Sequence, residues 1–381
     1  MWLQKCRSLW YNAAMKPNNP FITVGYFGPD YFCDRKKETE KLLSAVRNDS
    51  NVTLMAPRRY GKTGLIHNFF HFLPKEYIPV YLDIYSTKNL TDFARTFAGA
   101  VTSAGDSSFE KAGKMVAQFF KSCRPTITPQ ESGLPKFSFD LIPSEAEPTL
   151  KEAFEYLKNR DQRMVIAIDE FQQISEYPES GTEALLRSLI QEVPWVRFVF
   201  AGSRHHLMGE MFLSAKHPFY NSTDILSLKA IDRNEYAAFA GNFFTADGKA
   251  FDREAFFLLY DRFDGVTWYV QRVLKELWNS ADGFVSAAQI DEVVKELVAD
   301  RELTFADLLG SQNDVAKKLL YAIARERAVK EPNAAEFLSR YSLSASSVRS
   351  ALADLVARDV IYRSERGYIV YDRLLGEWLS E

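Results

Sequence analysis

Through the first half of the chain, short apolar runs alternate with longer stretches whose apolar positions recur every three or four residues. The runs fall at residues 52–55, 79–84, 163–168, 197–202 and 224–228, and the helical stretches at 90–100, 150–159 and 181–191. A run that is apolar at almost every position, as at 164–168, suits a strand covered on both faces. Strand alternating with helix predicts a parallel α/β sheet, whose ligands sit at the carboxyl ends of the strands, where Lys62, Asp169 and Ser203 emerge. The rhythm breaks at about residues 105–148, where an amphipathic stretch at 109–120 precedes two short alternating runs around a Ser-Gly-Leu-Pro turn. That pattern predicts an inserted hairpin, read as a structural flap over the sheet edge.

After residue 228 only the helical period is left, at 233–244, 252–263, 267–280 and 286–303, a candidate lid. Its aromatic residues Phe256, Phe257, Tyr260, Trp268, Tyr269 and Trp278 read as helix packing. Helices at 313–327 and 333–341, a third that Ser344 N-caps and that runs to 358, and a hairpin at 360–371 give a winged-helix shape. The organisation expected is an N-terminal extension at 1–18, a sheet-bearing core at 19–230 with the insert, a helical lid at 231–305 and a winged-helix-like domain at 306–381.

Composition narrows the class without changing this outline. The 47 lysines and arginines against 50 aspartates and glutamates leave a net charge of −3, so no global field draws nucleic acid or membrane. No apolar run approaches the roughly twenty residues that cross a bilayer. Cys6, Cys33 and Cys123 are odd in number and lack metal-ligand spacing, which suits reduced thiols and a cytoplasmic setting. Residues 1–14 have no sustained apolar core of the signal-peptide kind and read as an upstream extension.

The candidate chemistry lies where the first strand meets the first long helix. Gly61-Lys62-Thr63 is the decisive end of a Walker A loop, with Ala56 in place of the usual first glycine, a departure that requires a negative φ there. Gly61 is free to take a positive φ and turn N–H groups inward; Lys62 offers a compact charge to the β- and γ-phosphates; Thr63 offers a hydroxyl to Mg²⁺. The N-terminal end of the helix adds positive potential. The cradle expected for ATP therefore comprises Ala56, Pro57, Arg58, Arg59, Tyr60, Gly61, Lys62, Thr63 and Gly64. For Arg58 and Arg59 two readings stand side by side, contact with phosphates or bracing of the loop through a carboxylate. About a hundred residues on, the run 163–168 ends in Asp169-Glu170, a Walker B pattern in which Asp169 holds the metal and Glu170 acts as base, against the plainer reading of a cap on the next turn.

Together, Asn19-Pro-Phe21, Tyr31-Phe-Cys-Asp-Arg35, Pro57-Arg-Arg-Tyr-Gly-Lys-Thr63, Asp169-Glu-Phe171 and Gly202-Ser203 resemble the archaeal-type AAA ATPases, relatives of the STAND NTPases. The resemblance covers residues 19–300 and more weakly the C-terminus. It implies a P-loop NTPase sheet of the additional-strand type with a helical lid and a C-terminal winged helix. It also implies that the segment from Phe32 to Arg35, with the helix after it, flanks the adenine base of the nucleotide and that Ser203 takes the sensor position beside Walker B. Two departures stand out. His217-Pro-Phe-Tyr-Asn-Ser222 lacks the arginine often found there, where relatives carry a trans-acting arginine finger, and Thr267 stands where the STAND-like pattern commonly has proline.

The functional expectation is a Mg²⁺-dependent ATPase acting as a nucleotide-driven switch, with ATP and Mg²⁺ as cofactors, no membrane, and a protein partner or self-assembly open. The alternative is an ATP-binding regulator with little hydrolysis whose winged helix binds DNA. From Ser311 onward eleven lysines and arginines face ten aspartates and glutamates, and Arg349, Arg363 and Arg366 are too few for a phosphate stripe, so DNA is not favoured.

Overall fold

A computed structural model describes residues 16–104, 116–123, 125–129, 135–160 and 162–381. In chain order the first part holds α1 (Lys36–Arg47), β1 (Val52–Met55), α2 (Lys62–Phe72), β2 (Tyr77–Asp83), α3 (Leu90–Ser103), β3 (Thr126–Pro129), β4 (Pro135–Ser138), α4 (Ala146–Lys158) and β5 (Arg163–Asp169). A 3₁₀ turn (Phe171–Glu176), α5 (Thr182–Gln191), β6 (Val196–Gly202), α6 (His205–Leu213) and β7 (Asp224–Ser227) follow.

Five of these strands form one sheet in the order β2-β5-β6-β1-β7, all pairs parallel. The strand β6 lies between the loop-bearing β1 and the carboxylate-bearing β5, the additional-strand arrangement of P-loop NTPases. Register brings Asp83 opposite Asp169 and Met55 opposite Gly202, so the strand ends that carry the candidate chemistry share one edge. Both faces of the sheet are covered, which is why the strands read as continuous apolar runs. Val165, Ala167, Val199 and Ala201 pack with Leu65, Ile66 and Phe69 of α2 on one face, while Met164, Ile166, Phe198 and Phe200 pack with Phe93, Phe97 and Phe154 of α3 and α4 on the other. At about 1.5–3 kcal/mol per fully buried large apolar side chain, these two layers dominate the stability of the sheet.

Phe171, Phe200, Phe212 and Phe219 form an aromatic cluster at the site end of this second layer, with ring centroids from 4.5 to 5.8 Å apart. The His217–Ser222 segment thus contributes Phe219 to the core. The expected hairpin is present as the antiparallel pair β3–β4. It packs on α3: the Phe137 N–H donates to Ser103 Oγ at 3.2 Å, and Phe137 and Phe139 are buried in the same cluster as the side chains of α3 and α4. The helical stretch expected at 109–120 is described only over its last residues, helical at 116–119, and the hairpin turn at 130–134 lies outside the described residues, as does the extension at 1–14.

The chain divides into two compact units, one holding the sheet to Phe239 together with Val266–Trp268, the other comprising Ala240–Gly265 and Tyr269–Glu381. Helix α7 (Arg233–Ala246) leads from the first into the second, which then has β8 (Ala250–Phe251), α8 (Arg253–Arg262), α9 (Thr267–Ser280), β9 (Phe284–Val285), α10 (Ala287–Ala299) and α11 (Glu302–Gly310). The single helix expected at 286–303 is two helices, because Asp300 and Arg301 close α10 before α11 begins. The winged helix follows as α12 (Asp314–Glu326), α13 (Ala335–Arg340), α14 (Ala345–Ala357), the hairpin β10 (Ile361–Ser364) and β11 (Gly367–Val370), and α15 (Arg373–Ser380). Ser344 Oγ caps α14 by accepting from the Ser347 N–H, as its position predicts. Helix α15, capped by Asp372, and the bridge from Val329 to Tyr368 are additions that the sequence pattern did not suggest. Within this unit Arg262 pairs with Glu377 at 2.6 Å and with Asp291 at 2.7 Å, and Asp264 pairs with Arg373 at 3.1 Å and with Arg366. Among the described residues no helix is long and apolar enough to cross a membrane.

Candidate functional site

Strand β1 ends at Met55 and the chain turns through residues 56–61 into α2. Gly61, at φ 88°, is the N-cap of that helix, and a Cβ built on it would meet nothing within 4 Å, so it is the backbone conformation and not crowding that calls for glycine there. Ala56 is not among the positive-φ residues, as its place in the loop requires, whereas Arg59 takes φ 70°. Lys62 is buried, and its ammonium donates to the carbonyls of Ala56 at 3.1 Å and Pro57 at 3.5 Å. Burial pushes its pKa down, and the opposing pull of Asp169 and Glu170 is weaker.

The outer side of the loop is held by its neighbours. Arg35 is buried in a left-handed conformation, with its guanidinium donating to Glu38 Oε1 at 3.0 Å and to the Tyr60 carbonyl at 3.2 Å. Phe32 lies against the first turn of α2, where a Cβ on Gly64 would come within 3.0 Å of its ring. The Thr267 hydroxyl donates to the Tyr60 carbonyl at 3.4 Å and the Trp268 N–H to the Arg59 carbonyl at 3.1 Å. The Arg59 guanidinium lies 4.6 Å from the centre of the Trp268 ring, and that of Arg58 lies 5.6 Å from the centre of the Tyr85 ring. Each loop arginine thus has an aromatic face among its contacts.

Facing the loop, Asp169 Oδ2 accepts from Thr63 Oγ1 at 2.7 Å and from the Tyr81 hydroxyl at 3.1 Å, while Oδ1 accepts from the Glu170 N–H at 3.0 Å. Burial and the adjacent carboxylates Asp169 and Asp83 push the Tyr81 hydroxyl far above its usual range, so it stays a neutral donor. The Tyr81 ring is 4.9 Å from that of His67, whose imidazole burial holds below its usual pKa and hence neutral. Glu170 sits at φ 58° in the N-cap position of the 3₁₀ turn, yet its side chain makes no cap hydrogen bond. Its Oε2 instead accepts from Ser203 Oγ at 2.7 Å and from Gln172 Nε2 at 2.5 Å. Asp83, at the end of β2, adds a third carboxyl, pushed up chiefly by burial, that accepts from the Tyr85 N–H at 2.8 Å.

Lys62, Thr63, Asp169, Glu170 and Ser203 therefore meet at one sheet edge, and Ala56, Pro57, Arg58, Arg59, Tyr60, Gly61 and Gly64 build the loop in front of them. Phe32 and Arg35 brace that loop, Arg35 by a hydrogen bond to its backbone. Sequence reasoning missed Tyr81, Gln172 and Asp83. The sequence signal for Asp83 was its place at the carboxyl end of a predicted strand; for Gln172 it was a polar residue two positions after Glu170. The residues fit a magnesium nucleotide. A loop ending in a helix N-terminus and a buried ammonium suit polyphosphate, and the hydroxyl–carboxylate pair of Thr63 and Asp169 supplies hard oxygen donors. Among the described residues no group of three or more His, Cys, Asp or Glu is arranged to hold a metal.

Residues 32–273 match the profile of an ATPase domain predominantly from Archaea, and residues 303–381 that of a probable winged helix domain. A Walker-type ATPase of Pyrococcus abyssi is similar in fold, with a TM-score of 0.64 and 16% identity over 95% of this chain and 100% of its own. The Orc1 protein of Aeropyrum pernix, solved in complex with DNA, is similar with a TM-score of 0.51 and 14% identity over 96% of this chain and 97% of its own. No curated protein matches significantly.

Proposed function

The chain belongs to the family of ATPase domains found predominantly in Archaea, and from that premise we propose that it binds Mg²⁺–ATP at this sheet edge and hydrolyses it as a conformational switch. The observation that carries the reading is the convergence of Lys62, Thr63, Asp169 and Glu170 where β1, β5 and β6 end, with Thr63 Oγ1 2.7 Å from Asp169 Oδ2. The bound Mg²⁺–ATP supplies a γ-phosphoryl group as electrophile with its charge partly neutralised. Lys62 then holds the β- and γ-phosphates by charge-assisted hydrogen bonds, and the loop N–H groups and helix N-terminus hold the rest. Thr63 and Asp169 orient the metal. Glu170 accepts the proton of the attacking water, and Ser203 holds that carboxylate through its hydroxyl.

The switch follows from what touches the loop. Thr267 and Trp268, the first residues of α9, donate to the carbonyls of Tyr60 and Arg59. The residues on either side are held by the winged helix, since Arg373 pairs with Asp264 and its N–H donates to the Tyr269 hydroxyl at 3.0 Å. A change in the loop on phosphate binding or loss therefore has a short covalent path to the C-terminal domain. On its motifs we group the chain with the STAND-related ATPases, with an output on a protein partner or a second copy of itself. The DNA-bound Orc1 protein shares the fold only, and Arg366, engaged by Asp264, weighs against a DNA-reading wing.

Glu170→Gln tests the chemistry. ATP binding should stay near the wild-type level while phosphate release falls by roughly a hundredfold or more, the usual share of general-base catalysis. Equal phosphate release by variant and wild type would reject Glu170 as the base.

A further inference from the structure

We propose that Gln172 is a positioning residue for Glu170, its side-chain amide fixing one carboxylate oxygen so that the other faces the reaction. The proposal rests on the role given to Glu170 above. Gln172 is 3% exposed on the first turn of the 3₁₀ segment, where the other buried residues are the apolar Phe171 and Ile174. A buried amide costs stability unless both its ends are satisfied, and a leucine would fill the same space without that cost. Both ends are satisfied here, and at two different strand ends. Nε2 donates to Glu170 Oε2 at 2.5 Å beyond β5, and Oε1 accepts from the Ser203 N–H at 3.3 Å beyond β6. The reversed amide would set oxygen against oxygen and N–H against N–H, so the partners fix its orientation.

Ser203 Oγ donates to the same Oε2 at 2.7 Å, so both donors converge on one oxygen of Glu170. No side-chain hydrogen bond among the described residues goes to Oε1. That oxygen is left as the proton acceptor. The backbone is shaped around this contact: a Cβ on Gly202 would come within 2.5 Å of Gln172 Oε1 and closer still to Met208 Sδ, so only glycine lets the amide reach across. Glu170 itself holds a left-handed conformation, at φ 58°, that is uncommon for a residue with a side chain. A charged base held by two donors loses little orientational freedom before reaction, which is where positioning acts.

The experiment is a double-mutant cycle in the full chain, with kcat for phosphate release and calorimetric affinity for a non-hydrolysable Mg²⁺–ATP analogue as readouts. Gln172→Leu, which keeps the volume, is expected to lower kcat about tenfold to a hundredfold, the scale of a misplaced reacting group, while affinity stays within about twofold. Added to Glu170→Gln, it should lower the residual rate no further, because a residue that acts through Glu170 has nothing left to position. Gln172→Leu with wild-type kcat overturns the proposal, as does a parallel fall of kcat and affinity, or an additive loss in the double variant. If Gln172→Leu does not fold, Gln172→Met takes its place in the same cycle with the same criteria. Retained turnover in Glu170→Gln alone defeats the base assignment itself. Loss there with none in the Gln172 variant defeats only the inference.

Discussion

Replacing Lys62 with methionine separates what this residue does for the ligand from what it does for the fold. The ammonium is buried and already stripped of water, and it donates to the Ala56 and Pro57 carbonyls. Much of its desolvation cost is therefore met before a phosphate arrives. Hydrogen bonds to charged groups contribute about 1.5–3 kcal/mol each. Two such bonds to phosphate contribute about 3–6 kcal/mol, and giving up the two carbonyl contacts, at about 1 kcal/mol each, leaves about 1–4 kcal/mol, or a loss of affinity of roughly fivefold to several hundredfold. Stability should move in neither direction by more than about 1 kcal/mol, since methionine forfeits two modest hydrogen bonds but also removes a buried charge. Because burial lowers the pKa of Lys62 from 10.5, the unfolded chain binds the proton more tightly than the native one. This group therefore makes stability rise with pH as 10.5 is approached from below, and the Lys62→Met protein should show a flatter pH dependence there. Calorimetric titration with a non-hydrolysable analogue and thermal melting from pH 7 upward measure both effects. A loss of affinity below about fivefold, well short of the two charge-assisted bonds assumed, refutes the loop assignment.

Thr63→Val removes the 2.7 Å hydrogen bond to Asp169 and leaves Tyr81 as its side-chain donor. The Mg²⁺ concentration that half-saturates nucleotide binding should rise about tenfold or more, with metal-free binding little changed; an unaltered magnesium dependence would remove Thr63 from the metal site. Gly202→Ala drives a methyl into Met208 and Gln172, so it should cost about 1–3 kcal/mol in denaturant unfolding and lower turnover; a fully stable, fully active variant would contradict the crowding. The full-length protein should show no salt-sensitive retention of duplex DNA near physiological ionic strength. Strong retention that Arg349, Arg363 and Arg366 substitutions abolish, with a salt slope that shrinks by about the number of arginines replaced, would promote the regulator reading.

The sheet was legible because burial on both faces forces its strands to be apolar throughout, and a run such as 163–168 suits little else. The winged helix was legible from the alternation of its hairpin and from Ser344 as the cap of α14. Boundaries that depend on one local break were less so. The helix expected over 286–303 ends at Ala299 because the chain turns at Arg301, φ −115°, which no glycine or proline announces. The hairpin insert was recognisable as a hairpin, but its seat on α3 depends on Phe137 and Phe139, whose burial is a property of the packed layer and not of their own segment. Helix α15 escaped because it is short, and its cap, Asp372, follows the wing immediately.

The site divides along the same line. Lys62, Thr63, Asp169 and Glu170 could be read directly, since phosphate and metal chemistry prescribes their types at fixed places after a strand. The residues that orient them could not. Tyr81 reaches Asp169 only because β2 pairs with β5 in the register that sets Asp83 opposite Asp169, and a shift of one residue would turn its hydroxyl to the other face. Gln172 reaches both Glu170 and Ser203 only because β5 and β6 are adjacent and Gly202 leaves room between them. The chemistry of a ligand restricts the groups that touch it, whereas the supports of those groups are restricted by topology. A glutamine two positions after the carboxylates carries no message until the strand order is known, and once it is known its amide has one orientation that satisfies both partners.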